Sequence, residues 1–237
     1  MHAWALAYAL LLYAAGILWV VGLAWRVALY ALTPAPLRIP TMPAPRTRRG
    51  VCVRVAGEVG LFTSLFRADK WAWIWGWLFH VSLALVLVQH LRYVFTTVPA
   101  WVRWESPFGS LSAFVLIVSL GALLARRILI ARVRFLSGPS DYLWLLLFIL
   151  VAASGTWMRY VRRIDIVRLK VFILGLMALR LEPLPRSPVL LVHLALVAVF
   201  LALMPFSKLL HAPGVFFSPT RTQRDKSRVE GSGGAHG

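Results

Sequence analysis

Five runs of apolar residues dominate this 237-residue sequence, at about 3–31, 71–97, 108–130, 141–158 and 187–210. Several reach the roughly 20 residues that a helix rising about 1.5 Å per residue needs to cross hydrocarbon about 30 Å thick. Inside a bilayer the backbone must satisfy its own hydrogen bonds, so separated runs of this length are read as helices. The expected fold class is therefore all-α, a polytopic membrane bundle of five transmembrane helices. Charge agrees with that reading, because only 14% of the residues are Asp, Glu, Lys or Arg, against about 25% in soluble domains. The first run is too long for a cleaved signal segment.

The connecting segments carry weaker signals. The stretch TPAPLRIPTMPAPRTRRG at 33–50 is interrupted by proline too often to be helical. Residues 55–68 have the pattern of a short amphipathic helix lying at the interface. Asp69 is placed to cap the second span, whose mouth holds Trp71, Trp73, Trp75 and Trp77 as an aromatic belt. A turn at Ser137-Gly138-Pro139-Ser140 leads to Asp141, the expected N-cap of the fourth span. In 159–186 the apolar run VFILGLMAL is too short to cross, which makes it interfacial or re-entrant. Pro205 is expected to kink the fifth span. Residues 1–217 read as the transmembrane domain and 218–237 as a polar tail, its last ten residues disordered.

The net charge of +18 comes from bases that flank the spans and form no single polar face. Such bases set topology or meet anionic lipid and cofactor groups, so nucleic acid is excluded as a partner. With the N-terminus outside and the C-terminus cytoplasmic, 16 Lys and Arg fall on the inner side and 9 on the outer. Seven of the outer bases lie in 159–186 and run against the rule, so they need their own explanation. Cys52 is the only cysteine. It excludes a disulfide framework, an iron–sulfur cluster held by this chain alone and a C-x-x-C-H haem attachment.

No Asp or Glu lies within any span core, which disfavours a proton- or sodium-coupled transporter; what the spans contain is histidine. His2 and His236 are terminal, whereas His80 and His90 lie in span two and His193 and His211 in span five. Because the two spans run in opposite directions, depth pairs His90 with His193 on the outer side and His80 with His211 on the inner. Neutral imidazole is a good ligand for haem iron, and two imidazoles leave no open position, which suits electron transfer. The axial separations differ, about 15 Å for the first two and about 27 Å for the second two on straight helices. A kink at Pro205 and helix tilt are expected to absorb part of this, with His193 and His211 on one helix face. Propionates would need cations, and Arg92, Arg159, Arg162 and Arg163 are candidates on the outer side, with Lys208 on the inner. The rival reading is a haem-free membrane anchor or small transporter whose histidines only join helices.

Histidines ten apart in span two and eighteen apart in span five resemble the NarI-type membrane cytochrome b family, named for the gamma subunit of respiratory nitrate reductase. The likeness extends over nearly the whole chain. Two stretches, LFRADKWAWIWGWLFH at 65–80 and FSKLLHAPGVFFSPTRTQRD at 206–225, are more similar to the DsrM-type cytochrome b subunits of dissimilatory sulfur-metabolism membrane complexes. Related subunits occur in heterodisulfide reductase and Hme complexes. The resemblance implies two haem b groups with His90/His193 and His80/His211 as axial ligands, and a quinone pool as redox partner. Arg92, Arg103 and His90 are then the candidate quinone-site residues. It further implies the bacterial inner membrane, other membrane or periplasmic subunits, and a cytoplasmic iron–sulfur subunit (DsrK-like) on which the tail docks. Sulfur chemistry on a DsrC-like carrier would occur at that partner. The chain would be the quinone-reactive electron-transfer subunit of a multi-subunit oxidoreductase, without activity alone. Gamma-type subunits of nitrate reductase or heterodisulfide reductase remain the alternatives within that class.

Overall fold

The computed structural model describes residues 3–34, 42–218 and 220–225; the disorder expected of the last ten residues lies outside them. The described residues form α1 (Ala3–Leu32), α2 (Arg48–Gly60), α3 (Thr63–Ala68), α4 (Lys70–His90), α5 (Ala100–Leu129), α6 (Ala131–Phe135), α7 (Pro139–Tyr160), α8 (Ile166–Met177), α9 (Pro188–Leu203) and α10 (His211–Phe217). A 3-10 turn at Leu91–Tyr93 extends α4, and two more, Met204–Phe206 and Lys208–Leu210, follow α9. Among these, α1, α4, α5, α7 and α9 are the five long and apolar enough to cross a membrane, α4 and α9 with the 3-10 turns that follow them. The chain is an all-helical, multi-pass membrane protein. It divides into two compact units, Met1–Ile17 with Trp71–Ala202, and Leu18–Lys70 with Leu203–Gly237.

The first unit is organised around α8. Asp165 caps this helix by accepting from Arg168 N at 3.0 Å, and its twelve residues cover about 18 Å, too little to span. Leu169 and Phe172, one turn apart, bury against Ala5, Ala9, Met158, Leu184, Leu190 and Leu194. Alanines four apart on α1 allow that close approach. Tyr13 Oη donates to Leu176 O at 2.7 Å and ties α1 to the end of α8. Buried Ser82, Ser112 and Ser119 donate to carbonyls three residues back in their own helices, Phe79, Gly109 and Leu116, so none is a stranded polar group.

In the second unit α1 meets the chain beyond α9. A Cβ on Gly22 would lie 2.7 Å from Pro205 Cβ and 2.9 Å from its Cγ, so only glycine permits this contact. Trp19 Nε1 donates to Met204 Sδ at 3.0 Å. Thr47 caps α2 through Gly50 N at 3.0 Å, and the chain reverses at Phe62, whose φ is 51°. Glu58 then accepts from Thr63 Oγ1 at 2.9 Å, from Ser64 Oγ and N, and from Arg221 Nη1 at 3.3 Å. Its carboxylate gives α3 the acceptor that Phe62 cannot provide, and it ties residues near 221 to α2. Asp225 N donates to Pro45 O at 3.0 Å in the same sense.

Four sequence expectations change. The single amphipathic helix at 55–68 is two helices, α2 starting earlier at Arg48 because Thr47 caps it. The third span starts at Ala100 rather than about 108, so Glu105 lies inside a spanning helix. Asp141 is not the N-cap of α7; Gly138 is, followed by Pro139 with its φ preset for the first turn, and Asp141 Oδ2 accepts from Gly138 N at 2.9 Å. Pro205 does more than kink the fifth span. The α-helix ends at Leu203, because proline lacks the N–H for the next turn and crowds the carbonyl before it. His193 and His211 therefore do not share the face of one continuous helix.

Gly22→Val should destabilise the protein by about 1–3 kcal/mol through overpacking against Pro205. Gly16→Val, with nothing within 4 Å of its added Cβ, should leave the thermal midpoint in detergent close to the parent's. Burial pushes the Glu58 carboxyl up, but hydrogen bonds from Ser64 and Thr63 and the Arg221 charge outweigh it and hold the carboxyl below the ordinary carboxylate range. A depressed folded-state value stabilises above the unfolded-state value and is lost as pH falls through the folded one. Amide protection factors at 220–225, taken against intrinsic exchange, should accordingly fall when pH drops below about 4.5, and Glu58→Gln should lower them already at neutral pH.

Candidate functional site

His90 ends α4 and His193 lies in the second turn of α9, and the first unit brings their rings together. The centroids are 6.5 Å apart and the planes 14° from parallel. That is too far for face contact, which needs about 3.5–4 Å. Two imidazoles bound on opposite sides of one metal, each at about 2.0 Å through a ring nitrogen, place their centroids about 6.3 Å apart. The pair thus fits a bis-imidazole metal site. No group of three or more His, Cys, Asp or Glu suited to a metal occurs among the described residues. A porphyrin needs only two axial side chains, since it brings four nitrogens of its own.

Hydrogen bonds set the tautomers. His90 Nδ1 is 2.7 Å from Val86 O, His80 Nδ1 is 2.7 Å from Gly76 O, and His211 Nδ1 is 3.1 Å from Lys208 O. A carbonyl only accepts, so each of these Nδ1 atoms carries the proton. His193 Nδ1 is 2.9 Å from Ser154 Oγ, while that hydroxyl gives its one proton to Val151 O at 3.0 Å. Ser154 must then accept from His193 Nδ1–H. In a neutral ring the lone pair is left on Nε2, the nitrogen available to a metal. Gly155 lets the His193 ring lie close, since a Cβ there would sit 3.4 Å from Cε1.

Beside this pair lies a polar network drawn from α4, α5 and α7. Gln89 Nε2 donates to Ser106 O at 2.8 Å. Arg92 donates from Nε to Gln89 O at 3.2 Å and from Nη2 to Ser106 Oγ at 3.0 Å. Arg159 donates from Nη1 to Gln89 Oε1 at 3.2 Å and from Nη2 to Ser110 Oγ. Two guanidiniums next to a histidine pair suit the carboxylates of a haem. Of the other candidates, Arg162 and Arg163 are exposed and outside this network, and Arg103 is exposed in the first turns of α5.

The second unit holds His211 and Lys208. Both line a cavity of about 920 Å³ together with Arg26, Tyr30, Ser207 and Phe217. Arg26 Nε is buried there without a hydrogen-bond partner, as expected of a cation waiting for an anionic group. A histidine, two cations and apolar walls also fit a haem edge with its propionates. His80 belongs to the first unit, where its ring packs edge-on against Phe79 at 4.7 Å.

Sequence reasoning missed Ser154 and Gly155, which position His193, and Gln89, which joins the two arginines. The one signal available was a Ser-Gly step in an otherwise apolar span, where small and polar residues mark helix contacts.

No family profile matches the chain. It is 32% identical over 262 aligned positions to the Hdr-like menaquinol oxidoreductase cytochrome b-like subunit of Archaeoglobus fulgidus, covering 92% of this chain and 79% of that one. The subunit of the same name from Archaeoglobus profundus is 30% identical over 261 positions, covering 89% and 76%. On identity and coverage of this extent, the chain belongs to the family of cytochrome b-like membrane subunits of Hdr-like menaquinol oxidoreductases.

Proposed function

We propose that this chain is the di-haem b subunit of a quinol-oxidising membrane complex, passing electrons between membrane quinol and a cytoplasmic iron–sulfur partner. One haem is ligated through Nε2 of His90 and His193. The other takes His80 and His211, a pairing that rests on their order along two antiparallel spans. The observation that carries the reading is the 6.5 Å, near-parallel His90/His193 pair with both Nδ1 atoms hydrogen-bonded. The relatives' name supports a quinol of the menaquinol type as electron donor.

When bound, each haem supplies a one-electron couple. The chain's own residues do the rest. Val86 O and Ser154 Oγ fix the rotation of the two rings and raise the basicity of Nε2. Arg92 and Arg159 on one side, and Arg26 and Lys208 on the other, neutralise propionates and so help set the potential. Quinol is handled where Arg92, Arg103 and His90 lie. Sixteen bases favour the opposite side as cytoplasmic, with the N-terminus outside. The outward bases Arg92 and Arg159, which run against that rule, then have cofactor work. The partner is a DsrK-like iron–sulfur subunit in dissimilatory sulfur metabolism, the setting that the 65–80 and 206–225 stretches resemble most.

Replacing His193 tests this directly. In the purified complex His193→Ala should lose one of two b-type components in the reduced spectrum, with the other kept at the parent's amplitude. Retention of both, or a parent complex without b-type bands, would overturn the proposal. Ser154→Ala should retain both haems and shift the midpoint potential of the His193 component alone.

A further inference from the structure

Glu105 is the one carboxylate that the extension of α5 draws into a spanning helix beside the histidine pair. Both of its oxygens are buried and neither has a hydrogen-bond partner. Buried polar groups in folded chains are nearly always paired, and an ionisable group at membrane depth is a functional hypothesis by default. The side chains around it are bonded to one another. Gln89 Nε2 donates to Ser106 O, Arg92 is engaged with Gln89 O and Ser106 Oγ, and Arg159 with Gln89 Oε1 and Ser110 Oγ. Arg92 and Arg159 act on Glu105 through space without closing an ion pair. Gly109 creates the room, because a Cβ there would collide with Glu105 Oε1 and reach 2.7 Å from Gln89 Nε2.

The same helix carries exposed aromatic side chains on either side of this carboxylate. Trp101, four residues before it, is 51% exposed and Phe108, three residues after, 66%. Both lie on the helix face that carries Glu105. A lipid-borne aromatic ring arriving along them meets an acceptor with no donor of its own. Next to it, Gln89 precedes His90 in the chain. A structural carboxylate would instead be expected to pair with one of the two guanidiniums.

We propose that Glu105 is the proton acceptor for a hydroquinone head group that enters from lipid past Trp101 and Phe108. The proposal rests on the quinol-oxidising function above and names the base that it needs. Each hydroquinone loses two electrons and two protons to become quinone. The haem that His90 and His193 would hold would supply the one-electron acceptor for each of the two electrons. Each proton goes from a hydroquinone hydroxyl, breaking its O–H bond, to a Glu105 oxygen and from there to water, so Glu105 acts twice per hydroquinone. Gln89, Ser106 and Ser110 hold Arg92 and Arg159 in place beside the carboxylate.

The test uses the whole purified complex, with menadiol as reductant and reduction of the b-type absorbance as readout. Glu105→Gln should slow that reduction by about 100-fold, the range typical of a lost general base. Haem content, the dithionite-reduced spectrum and binding of the quinol analogue heptylhydroxyquinoline N-oxide should match the parent's. Glu105→Asp should recover much of the rate. A redox-induced infrared difference spectrum should show a protonated-carboxyl band in the parent that Glu105→Gln abolishes. A menadiol rate unchanged in Glu105→Gln would overturn the assignment, as would loss of haem or of inhibitor binding in that variant, since either means a structural or anchoring role. A parent complex without b-type bands would instead defeat the haem reading on which the assignment rests.

Discussion

A neutral imidazole has one proton for two nitrogens, so a hydrogen bond at Nδ1 leaves the lone pair on Nε2. His80, His90, His193 and His211 each have this bond, three to a backbone carbonyl three or four residues earlier and one to a serine hydroxyl whose own proton is already committed. Such bonds fix the rotation of the ring as well as its tautomer. Only then can two side chains from different helices hold near-parallel planes 6.5 Å apart. The glycine at 155, the serine at 154 and the end of α4 at His90 all serve that arrangement. The arginine network is its electrostatic complement, two fixed positive charges where anionic cofactor groups and a quinol head group would be drawn.

The hydrocarbon environment shapes the remainder. Apolar side chains cover the spanning helices, and large ones such as Trp104 and Leu111 remain exposed because lipid is their solvent. Small residues then decide where helices come close, Ala5 and Ala9 against α8 in one unit and Gly22 against Pro205 in the other. Ser82, Ser112 and Ser119 donate to their own backbone, and other polar side chains gather in the cluster around Gln89. Both oxygens of Glu105, within that cluster, are buried without a hydrogen-bond partner, which is why it carries a chemical role.

Much of this was readable from residue pattern. Five spans, the short piece at 166–177 and the four histidines follow from run length and from the rarity of ionisable residues at membrane depth. At the third span, local polarity resembles a boundary. Arg103, Glu105 and Pro107 end the apolar run near 108, whereas the helix itself begins at Ala100. That error hid Glu105. Pro205 was read as a kink, and its effect depends on the turns that follow, Met204–Phe206 and Lys208–Leu210, which no periodicity announces. The contacts that position His193 come from α7, 39 residues away in sequence, and spacing alone carries no such information.

The most direct measurement is a pyridine haemochrome determination on the purified complex, with haem b counted against this chain by quantitative amino-acid analysis. Two haem b per chain is the expected result. A value of zero, or a single haem that survives replacement of both His90 and His193, would contradict it.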